Sequence, residues 1–439
     1  MRRARTGGGA SGSATDAWPR RAAALRSRTS RWRALLIGLA SLVLAPPAFG
    51  KPLNQLIPGL FGGSLSTTVD QTGSDFSHQQ VLIVQQFRNL SSQLSVARSQ
   101  VPIPSASGAF SYEWDSELDT FVRFDQSLGS LFAERALTLG RGRFNVGFSY
   151  QHVDFSTLNG ASLDNLHAVQ PAFTQAYLDH LTPEQRAIYA DDIISTRLAM
   201  AFSFDLFYLN AAYGVTDNID ISLGLTINRA SLSGNAFAMA LDPSGNGGTA
   251  HVPFFAPNQP GAISNGSGPI CSQPFRCAQD SFSGTAVGTG DIYLRGKWHF
   301  LDTTYADLAA AGVLTLPTGN ASNFLGFHDP TFTPWIIASK TFWRIDPHVN
   351  VGYAIRSESD VSQFQWIAGA DLLTTQWLTL FSDFLGYYDH VNHNVVQSSL
   401  GFKANPIGGL VLGIGFQLPV NRDGLRADVI YTGQVEYNF

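Results

Sequence analysis

The sequence predicts an all-β fold: a transmembrane, antiparallel, up-and-down β-barrel of about 12 strands, preceded by a short helical N-terminal segment. Three observations predict it. Of the 439 residues, 44% are hydrophobic and 12% aromatic but only 14% charged, whereas about a quarter of the residues of a soluble protein are charged. From residue 143 onward, segments of about ten residues alternate between apolar and polar side chains. No run of about 18 apolar residues occurs, so a closed barrel is the membrane-spanning structure that remains.

Residues 1–50 have the order of parts found in a secretory signal peptide. Nine arginines and one acid, Asp16, precede an apolar run of eleven residues from Ala34 to Leu44. That run is shorter than the ~20 residues of a spanning helix, so we predict a signal peptide cleaved after Ala48 or Gly50, ahead of the alternative of a short buried helix. Without residues 1–50 the chain has 19 basic and 32 acidic residues, and its net charge is −13 instead of −5.

Residues 51–140 form a second region of different character. Apolar residues at a 4-3-4-3 spacing predict an amphipathic helix: Ile83, Phe87, Leu90, Leu94 and Ala97. Residues 110–124 predict a β-hairpin. We expect this region to plug the lumen, to have an ordinary structural role at the periplasmic end of the barrel, or to add two strands and make 14.

The barrel is predicted over residues 141–439. In its first strand Phe144, Val146, Phe148 and Tyr150 face one side, and polar or small residues face the other. The same alternation predicts twelve strands, at about 142–155, 197–213, 218–233, 286–300, 304–317, 331–343, 346–357, 362–374, 377–389, 395–404, 409–418 and 429–439. A soluble β-sandwich would alternate too, but the aromatic content and the signal peptide favour the barrel.

The connections alternate between short turns and mostly longer links, which is typical of barrels with tight periplasmic turns and long external loops. An even number of strands then puts both ends of the chain in the periplasm. The link 156–196 is expected to hold a helix, because Thr182, Pro183 and Gln185 supply an N-cap, a first-turn proline and a capping-box partner.

The link 234–285 contains both cysteines of the chain, Cys271 and Cys277. They lie close together in a stretch rich in Gly, Pro, Asn and Ser, and an exported protein meets an oxidising compartment. We predict a local disulfide between them, with two free thiols or half of a metal site as the alternatives.

The last predicted strand, 429–439, alternates apolar and polar residues and ends on an aromatic residue. This pattern, with Tyr437 and Phe439, resembles the C-terminal signal by which bacterial outer-membrane proteins are handed to the barrel-assembly machinery. We therefore expect that machinery and the lipid of the outer membrane to be partners of the chain.

Inward-facing charges of both signs are predicted in the lumen. The candidates are Arg143, Asp205, Asp220, Arg295, Lys297, Lys340, Arg356, Asp371 and Asp383, together with Lys403 and Glu436. A wide ion-selective pore would show one dominant sign, so a paired polar interior is favoured over a substrate-selecting ring.

Some barrels are enzymes, and two groups of residues could serve a rim-located hydrolase or bind a metal. Asp389, His390 and His393 fall in or beside one short external loop, and His328 with Asp329 in another. Such loop residues are usually solvated, so no catalytic residue, metal or cofactor is predicted. Gly288 to Asp291 open a strand and lack the lysine of a phosphate-binding loop. No basic stripe for nucleic acid remains beyond the signal peptide.

Several stretches are similar to one family. The sequences FAERALTLGRGRFNVGFSYQ (132–151), YGVTDNIDISLGL (213–225), GTGDIYLRGKWHF (288–300), DLAAAGVLTLPTGN (307–320), FLG (324–326) and HVNVGY (348–353) resemble bacterial outer-membrane proteins labelled phenol-degradation meta-pathway proteins. The resemblance implies a barrel of the long-chain fatty-acid channel type, whose members admit hydrophobic or aromatic small molecules. Family sequences often carry an acid where this chain has Asn320, and no family site residues can be transferred.

The sequence therefore predicts a monomeric barrel of the bacterial outer membrane through which a small hydrophobic or aromatic compound passes without an energy source. The alternatives are an outer-membrane hydrolase and a structural or adhesive barrel that acts through its external loops.

Overall fold

The computed structural model describes residues 51–61, 67–68, 90–91, 93–94, 101–110, 112–115, 120–123, 127–173, 175–243, 254–255, 262–263, 271, 276–357, 362–389 and 393–439. The predicted signal peptide and most of the predicted helix around residues 83–97 lie outside these residues. The disulfide between Cys271 and Cys277 is present, as predicted, with Cα atoms 5.3 Å apart.

Twelve long strands form a closed antiparallel barrel, which confirms the predicted fold. Their bounds are β1 Phe144–Leu158, β2 Ile193–Thr216, β3 Ile219–Leu241, β4 Cys277–Asp302, β5 Asp307–Leu316, β6 Thr331–Ser339, β7 Ile345–Ala354, β8 Gln363–Thr375, β9 Leu378–Asp389, β10 His393–Ile407, β11 Leu410–Pro419 and β12 Leu425–Asn438. Each strand pairs with its neighbours in the chain, and β12 pairs with β1 to close the barrel, with Phe148 opposite Val435.

The remaining elements are short. Among the described residues, three helices, α1 Leu56–Phe61, α2 Gln175–Asp179 and α3 Pro183–Tyr189, accompany 3-10 turns at Leu53–Gln55, Leu163–Asn165 and Ala321–Asn323. Short strands lie at Thr67–Thr68, Tyr112–Asp115, Thr120–Arg123, Ala161–Ser162, Leu166–Pro171, Phe254–Phe255 and Ala262–Ile263. Helix α3 has the predicted capping box of Thr182 and Gln185. No helix in the described residues has the length and apolar character needed to cross a membrane.

The predicted hairpin is present as Tyr112–Asp115 paired with Thr120–Arg123. It forms a sheet of its own and does not join the barrel wall. The barrel therefore has 12 strands, and the alternative of 14 is wrong.

The barrel has two unlike ends. At the turn end, the strands are joined by the short connections 217–218, 303–306, 340–344, 376–377 and 408–409. At the loop end, the connections are 159–192, 242–276, 317–330, 355–362, 390–392 and 420–424. Strands β2 and β4 have 24 and 26 residues whereas β6 has 9, so the wall extends further on the β2–β4 side.

The outer face carries an apolar band bounded by two rings of aromatic side chains, which is the surface that a lipid bilayer requires. Exposed aromatic residues at the turn end are Phe144, Tyr213, Trp298, Phe300, Phe342, Trp343, Trp377, Tyr437 and Phe439. The ring nearer the loop end consists of Tyr150, Phe207, Phe332, Tyr353, Phe364, Tyr388, Phe416 and Tyr431. Exposed aliphatic residues such as Ile221 and Leu223 lie between the rings.

Candidate functional site

The inner face of the barrel changes character along its axis. Towards the turn end, in what we call the polar half, the buried inward-facing side chains are Asn145, Ser149, Gln151, Asn210, Asp220, Lys297, His348, Asp371, Asp383, Lys403, Gln434 and Glu436. Towards the loop end, the inner face of β1–β4 is apolar, and we call this region the apolar half: Phe155, Leu198, Phe202, Phe204, Leu232, Ala236 and Phe282. It packs against Leu53, Ile57 and Leu60 of the N-terminal segment. On the β8–β12 side, buried polar side chains continue to the loop end: Gln363, Asp389, Gln397, Gln417 and Arg426.

The polar half is filled by residues 101–110 and 127–139, which we call the plug. Leu131 and Phe132 pack against Phe381 and Leu385, and Ala136 packs against the wall of β5 and β6. Ala109, Phe110 and Leu128 pack against Val411. Because these contacts reach strands on several sides of the barrel, the plug lies inside the lumen.

Side chains of the wall hold the backbone of the plug. Asn350 acts as a peptide-like partner, since its Oδ1 accepts from the amide of Glu134 at 2.7 Å and its Nδ2 donates to the Glu134 carbonyl at 2.8 Å. Further wall-to-plug bonds join Ser339 to Ala136, Asp220 to Leu139, Thr379 to Leu128, Glu436 to Ala109 and Gln151 to Pro102. An irregular segment has few backbone partners of its own, and buried amides and carbonyls must be paired.

The charged side chains of the polar half also help to hold the plug. Lys297 Nζ donates to the carbonyl of Leu137 at 2.6 Å and lies 3.8 Å from Asp220. Arg295 pairs with Glu134 of the plug. Arg135 of the plug donates to the carbonyls of Ser127 and Ala109 at 3.0 and 3.1 Å. The predicted inward charges therefore pair with the plug as well as with one another.

A second charged group joins the plug to β7 and β9. Ser130 of the plug donates to Asp383, and the other oxygen of that carboxylate lies 2.8 Å from Nε2 of His348. Nδ1 of His348 is 3.8 Å from Asp371. The carboxylate stands between the serine and the histidine, so this is not the order of a serine nucleophile and its base.

The other predicted lumen residues lie elsewhere. Arg143 precedes β1 and Lys340 follows β6, both at the turn end, where Lys340 pairs with Asp302 and Asp307 at 3.1 and 2.9 Å. Arg356 follows β7 at the loop end.

The assignment of Asp205 to the lumen is wrong, because its side chain is on the outer face. There it accepts from the hydroxyl of Tyr150 at 2.7 Å and pairs with His152 at 2.7 Å. The physical reason is that the lumen is apolar at this height. Phe204 and Leu206 point inward and the acid faces outward, above the lipid-facing band.

A cavity of about 210 Å³ lies in the lumen between the plug and the apolar half. The aromatic residues that line it are Phe132, Phe204, Tyr208, Tyr293, Phe327, Trp335, Trp366 and Tyr387. Tyr208 and Tyr293 meet edge to face at 6.3 Å. The cavity exceeds the ~150 Å³ that accommodates a benzene ring in a protein interior, so it has room for a single-ring compound.

Two glycines keep this cavity open. The ring of Tyr208 lies over Gly224 and that of Trp335 over Gly352, and a Cβ atom at either glycine would stand 2.6 Å from the ring. With no side chain beneath them, both rings can lie against the wall. The free space is thus set by residues on neighbouring strands.

The link 317–330 folds into the barrel and supplies Phe327 to the cavity wall. Asp291, at a bulge in β4, accepts from the amides of Gly319 and Phe327 at 3.1 and 2.9 Å. Asn228 donates to the carbonyl of Leu325 at 2.6 Å. Prediction from the sequence missed the role of Asp291, although it lies in the stretch 288–300 that carries the family resemblance.

The residues considered for a hydrolase are spread over two loops. The buried Asp389 accepts from Nε2 of Gln363 at 3.1 Å. His328 is exposed, with Nδ1 3.5 Å from Asp329. His390 and the side chain of His393 lie outside the described residues. Within the described part of the chain, no three His, Cys, Asp or Glu side chains are grouped as metal ligands.

No profile of a known protein family matches the chain, and no curated protein matches it. The barrel is similar to an outer membrane channel from Pseudomonas putida F1, with 11% identity, a TM-score of 0.42, and coverage of 71% of this chain and 100% of that chain. A Pseudomonas aeruginosa FadL homologue gives 9% identity, 68% and 90% coverage and a TM-score of 0.31. A deletion mutant of TodX, a monoaromatic hydrocarbon channel, gives 8% identity, a TM-score of 0.29, and coverage of 70% of this chain and 92% of that chain.

Proposed function

We propose that the protein is an outer-membrane channel through which small hydrophobic or aromatic compounds pass. The observation that carries the proposal is the aromatic cavity in the lumen, which lies next to a section of wall that is itself apolar. A compound of low polarity gains free energy when it leaves water for such a surface, at about 25 cal/mol for each Å² buried. A hydrophilic solute gains nothing comparable.

The membrane placement in this proposal follows from the outer face. The apolar band and its two aromatic rings suit a bilayer, and the predicted signal peptide would direct the chain across the inner membrane. The turn end then faces the periplasm and the loop end the outside. Outer-membrane lipid surrounds a single barrel, and Tyr437 and Phe439 are the residues that the assembly machinery recognises.

Passage is passive in this proposal. A compound enters at the loop end and rests in the cavity above the plug. Because the plug occupies the polar half, the compound reaches the periplasm when part of the plug moves. The resemblance to phenol-degradation proteins agrees with an aromatic cargo, and the protein takes no cofactor and catalyses no reaction.

Uptake by a strain that lacks the gene tests the proposal. We expect the deletion to slow the uptake of single-ring aromatic compounds, and the restored gene to recover it. A panel of aromatic and acyl compounds identifies the cargo, and a hydrophilic sugar serves as the control. Unchanged uptake of every compound, with the protein found in the outer-membrane fraction of the parent strain, would contradict the proposal.

A further inference from the structure

Four ionisable side chains of three adjacent strands meet against the plug in the polar half. They are Asp346 and His348 of β7, Asp371 of β8 and Asp383 of β9. Each is at most 2% exposed. Three acids therefore lie around one histidine in an interior where a charge without a partner is costly.

His348 reaches Asp383 across the strand that lies between them. In the register of the sheet, Gly369 of β8 stands opposite both His348 and Asp383. A Cβ atom at position 369 would collide with the carboxylate of Asp383, so the contact needs a glycine there. The distance between Nε2 of the histidine and Oδ1 of the acid is 2.8 Å. The pair thus forms a bridge over β8.

Both ring nitrogens of His348 face hydrogen-bond acceptors. Nε2 faces the carboxylate of Asp383, and Nδ1 lies 3.2 Å from the backbone carbonyl of Asp346. A carboxylate and a carbonyl have no hydrogen to donate, so both nitrogens carry one and the ring is an imidazolium. Nδ1 is also 3.8 Å from Asp371, and neither oxygen of that buried carboxylate has a hydrogen-bond partner among the described residues. The imidazolium therefore balances two buried acids.

The bridge continues into the plug. One oxygen of the Asp383 carboxylate accepts from His348, and the other accepts from the hydroxyl of Ser130. Ser130 Oγ in turn accepts from the amides of Phe132 and Ala133 at 3.2 and 3.3 Å, so it fixes the turn of the plug at this point. The chain of contacts from His348 through Asp383 to Ser130 joins the wall to the plug, and we call it the latch.

We infer that the latch depends on a proton, and that loss of the imidazolium proton of His348 releases the plug from the wall. The charged groups that face the ring are Asp346 from β7, Asp371 from β8, Asp383 from β9 and Arg135 from the plug. With the acids ionised there are three negative and two positive charges, and loss of the ring proton leaves three negative and one positive. Arg135 lies beside Asp346, at 3.9 Å.

Deprotonation therefore leaves Asp371 and Asp383 as two buried carboxylates without the cation between them. Their repulsion and their need for water favour hydration of this part of the wall, which separates Asp383 from Ser130. At acid pH the opposite holds, because protonation of the carboxylates reduces the repulsion. The plug should therefore be held at acid and neutral pH and released at alkaline pH.

Single-channel recording with the purified full chain in planar bilayers tests the latch. The frequency of opening is measured from about pH 6 to about pH 9, a range in which a histidine with acidic neighbours titrates. We expect openings to become about tenfold more frequent at the alkaline end, because loss of a charge-assisted hydrogen bond shifts an equilibrium by at least that factor. His348→Gln cannot become charged, so it should open frequently at every pH.

His152→Gln is the matched control. His152 also lies between two carboxylates, 2.7 Å from Asp205 and 3.1 Å from Asp154, but on the outer face of the barrel. Its openings should vary with pH as those of the unmodified chain do. A wild-type profile in His152→Gln together with a flat profile in His348→Gln assigns the proton to the latch.

Ser130→Ala tests the latch from the side of the plug and leaves the bridge in the wall intact. It should raise the frequency of opening at pH 6, and it serves as the test if His348→Gln loses the folded mobility on unboiled gels. Openings of the unmodified chain that do not change with pH would overturn the inference. So would an unaltered pH profile in folded His348→Gln or Ser130→Ala. Either result leaves the proposed channel for aromatic compounds intact, because the recordings contain no such compound.

Discussion

The polar and apolar halves of the lumen are built from the same strands but have opposite interiors. In the polar half, wall side chains such as Asn350, Asp220 and Lys297 are bonded to the plug. In the apolar half, the wall presents Phe202, Leu232 and other hydrocarbon groups. The wall that faces the plug is polar because an irregular segment needs hydrogen bonds, whereas the inner face of β2–β4 near the loop end is apolar because it packs against Leu53, Ile57 and Leu60.

Removal of the plug should change the lumen more than any single substitution. Deletion of residues 101–139 takes away the partners of the polar half, and water should then fill a lumen that 12 strands keep open. We expect ion conductance in planar bilayers to rise by about an order of magnitude. An unchanged conductance in a folded deletion variant would show that the plug does not obstruct the pathway.

Asp220→Leu should destabilise the polar half. The substitution leaves Lys297 without its carboxylate and removes the acceptor of the Leu139 amide, which lies 2.9 Å away. Breaking a buried ion pair costs about 3–5 kcal/mol, so the temperature at which the barrel unfolds on gels should fall clearly.

Asp205→Asn is the control for that change, because it removes an acid from the outer face of the barrel, where no plug contact is lost. We expect this substitution to lower the free energy of unfolding by less than about 1 kcal/mol. If the two variants unfold at the same temperature, the lumen charges do not hold the plug.

Gly224→Ala should narrow the cavity. The added methyl group would stand 2.6 Å from Tyr208 and push its ring into the open space. A methylene-sized change in an apolar site changes specificity by about tenfold, so entry of single-ring compounds should fall by that factor. Gly296→Ala is the control, because no atom lies within 4 Å of its Cβ position and entry should be unaffected.

The smallest expected effect is at the rim of the apolar half. Burial, together with the nearby Asp242, raises the pKa of Asp192 to about 7. The folded loop then binds a proton that the unfolded loop releases near pH 4, so its stability falls as the pH rises from about 4 to 7. Limited proteolysis of the link 159–192 should be slower at pH 5 than at pH 8. Asp192→Asn should abolish this dependence, and an identical pH profile in that variant would refute the assignment.

The sequence predicted the barrel well because alternation over ten residues is a local signal. All twelve strands, the capping box at Thr182 and the disulfide of Cys271 with Cys277 follow from residues close in the chain. The contacts of the plug cannot be predicted in this way, because they join residues that are distant in the sequence: Glu134 and Asn350 are 216 residues apart. Asp205 was placed wrongly because alternation gives two faces but does not say where the interior turns apolar. The cavity is bounded by aromatic rings that lie over glycines of neighbouring strands. Its shape therefore depends on the register between those strands, which the sequence pattern does not give.

Diffraction from crystals soaked with iodobenzene tests whether the lumen holds a binding place for an aromatic ring above the plug. We expect anomalous density for iodine in the cavity between Tyr208, Tyr293 and Trp335. Density confined to the outer surface, or an empty cavity at saturating iodobenzene, would contradict it.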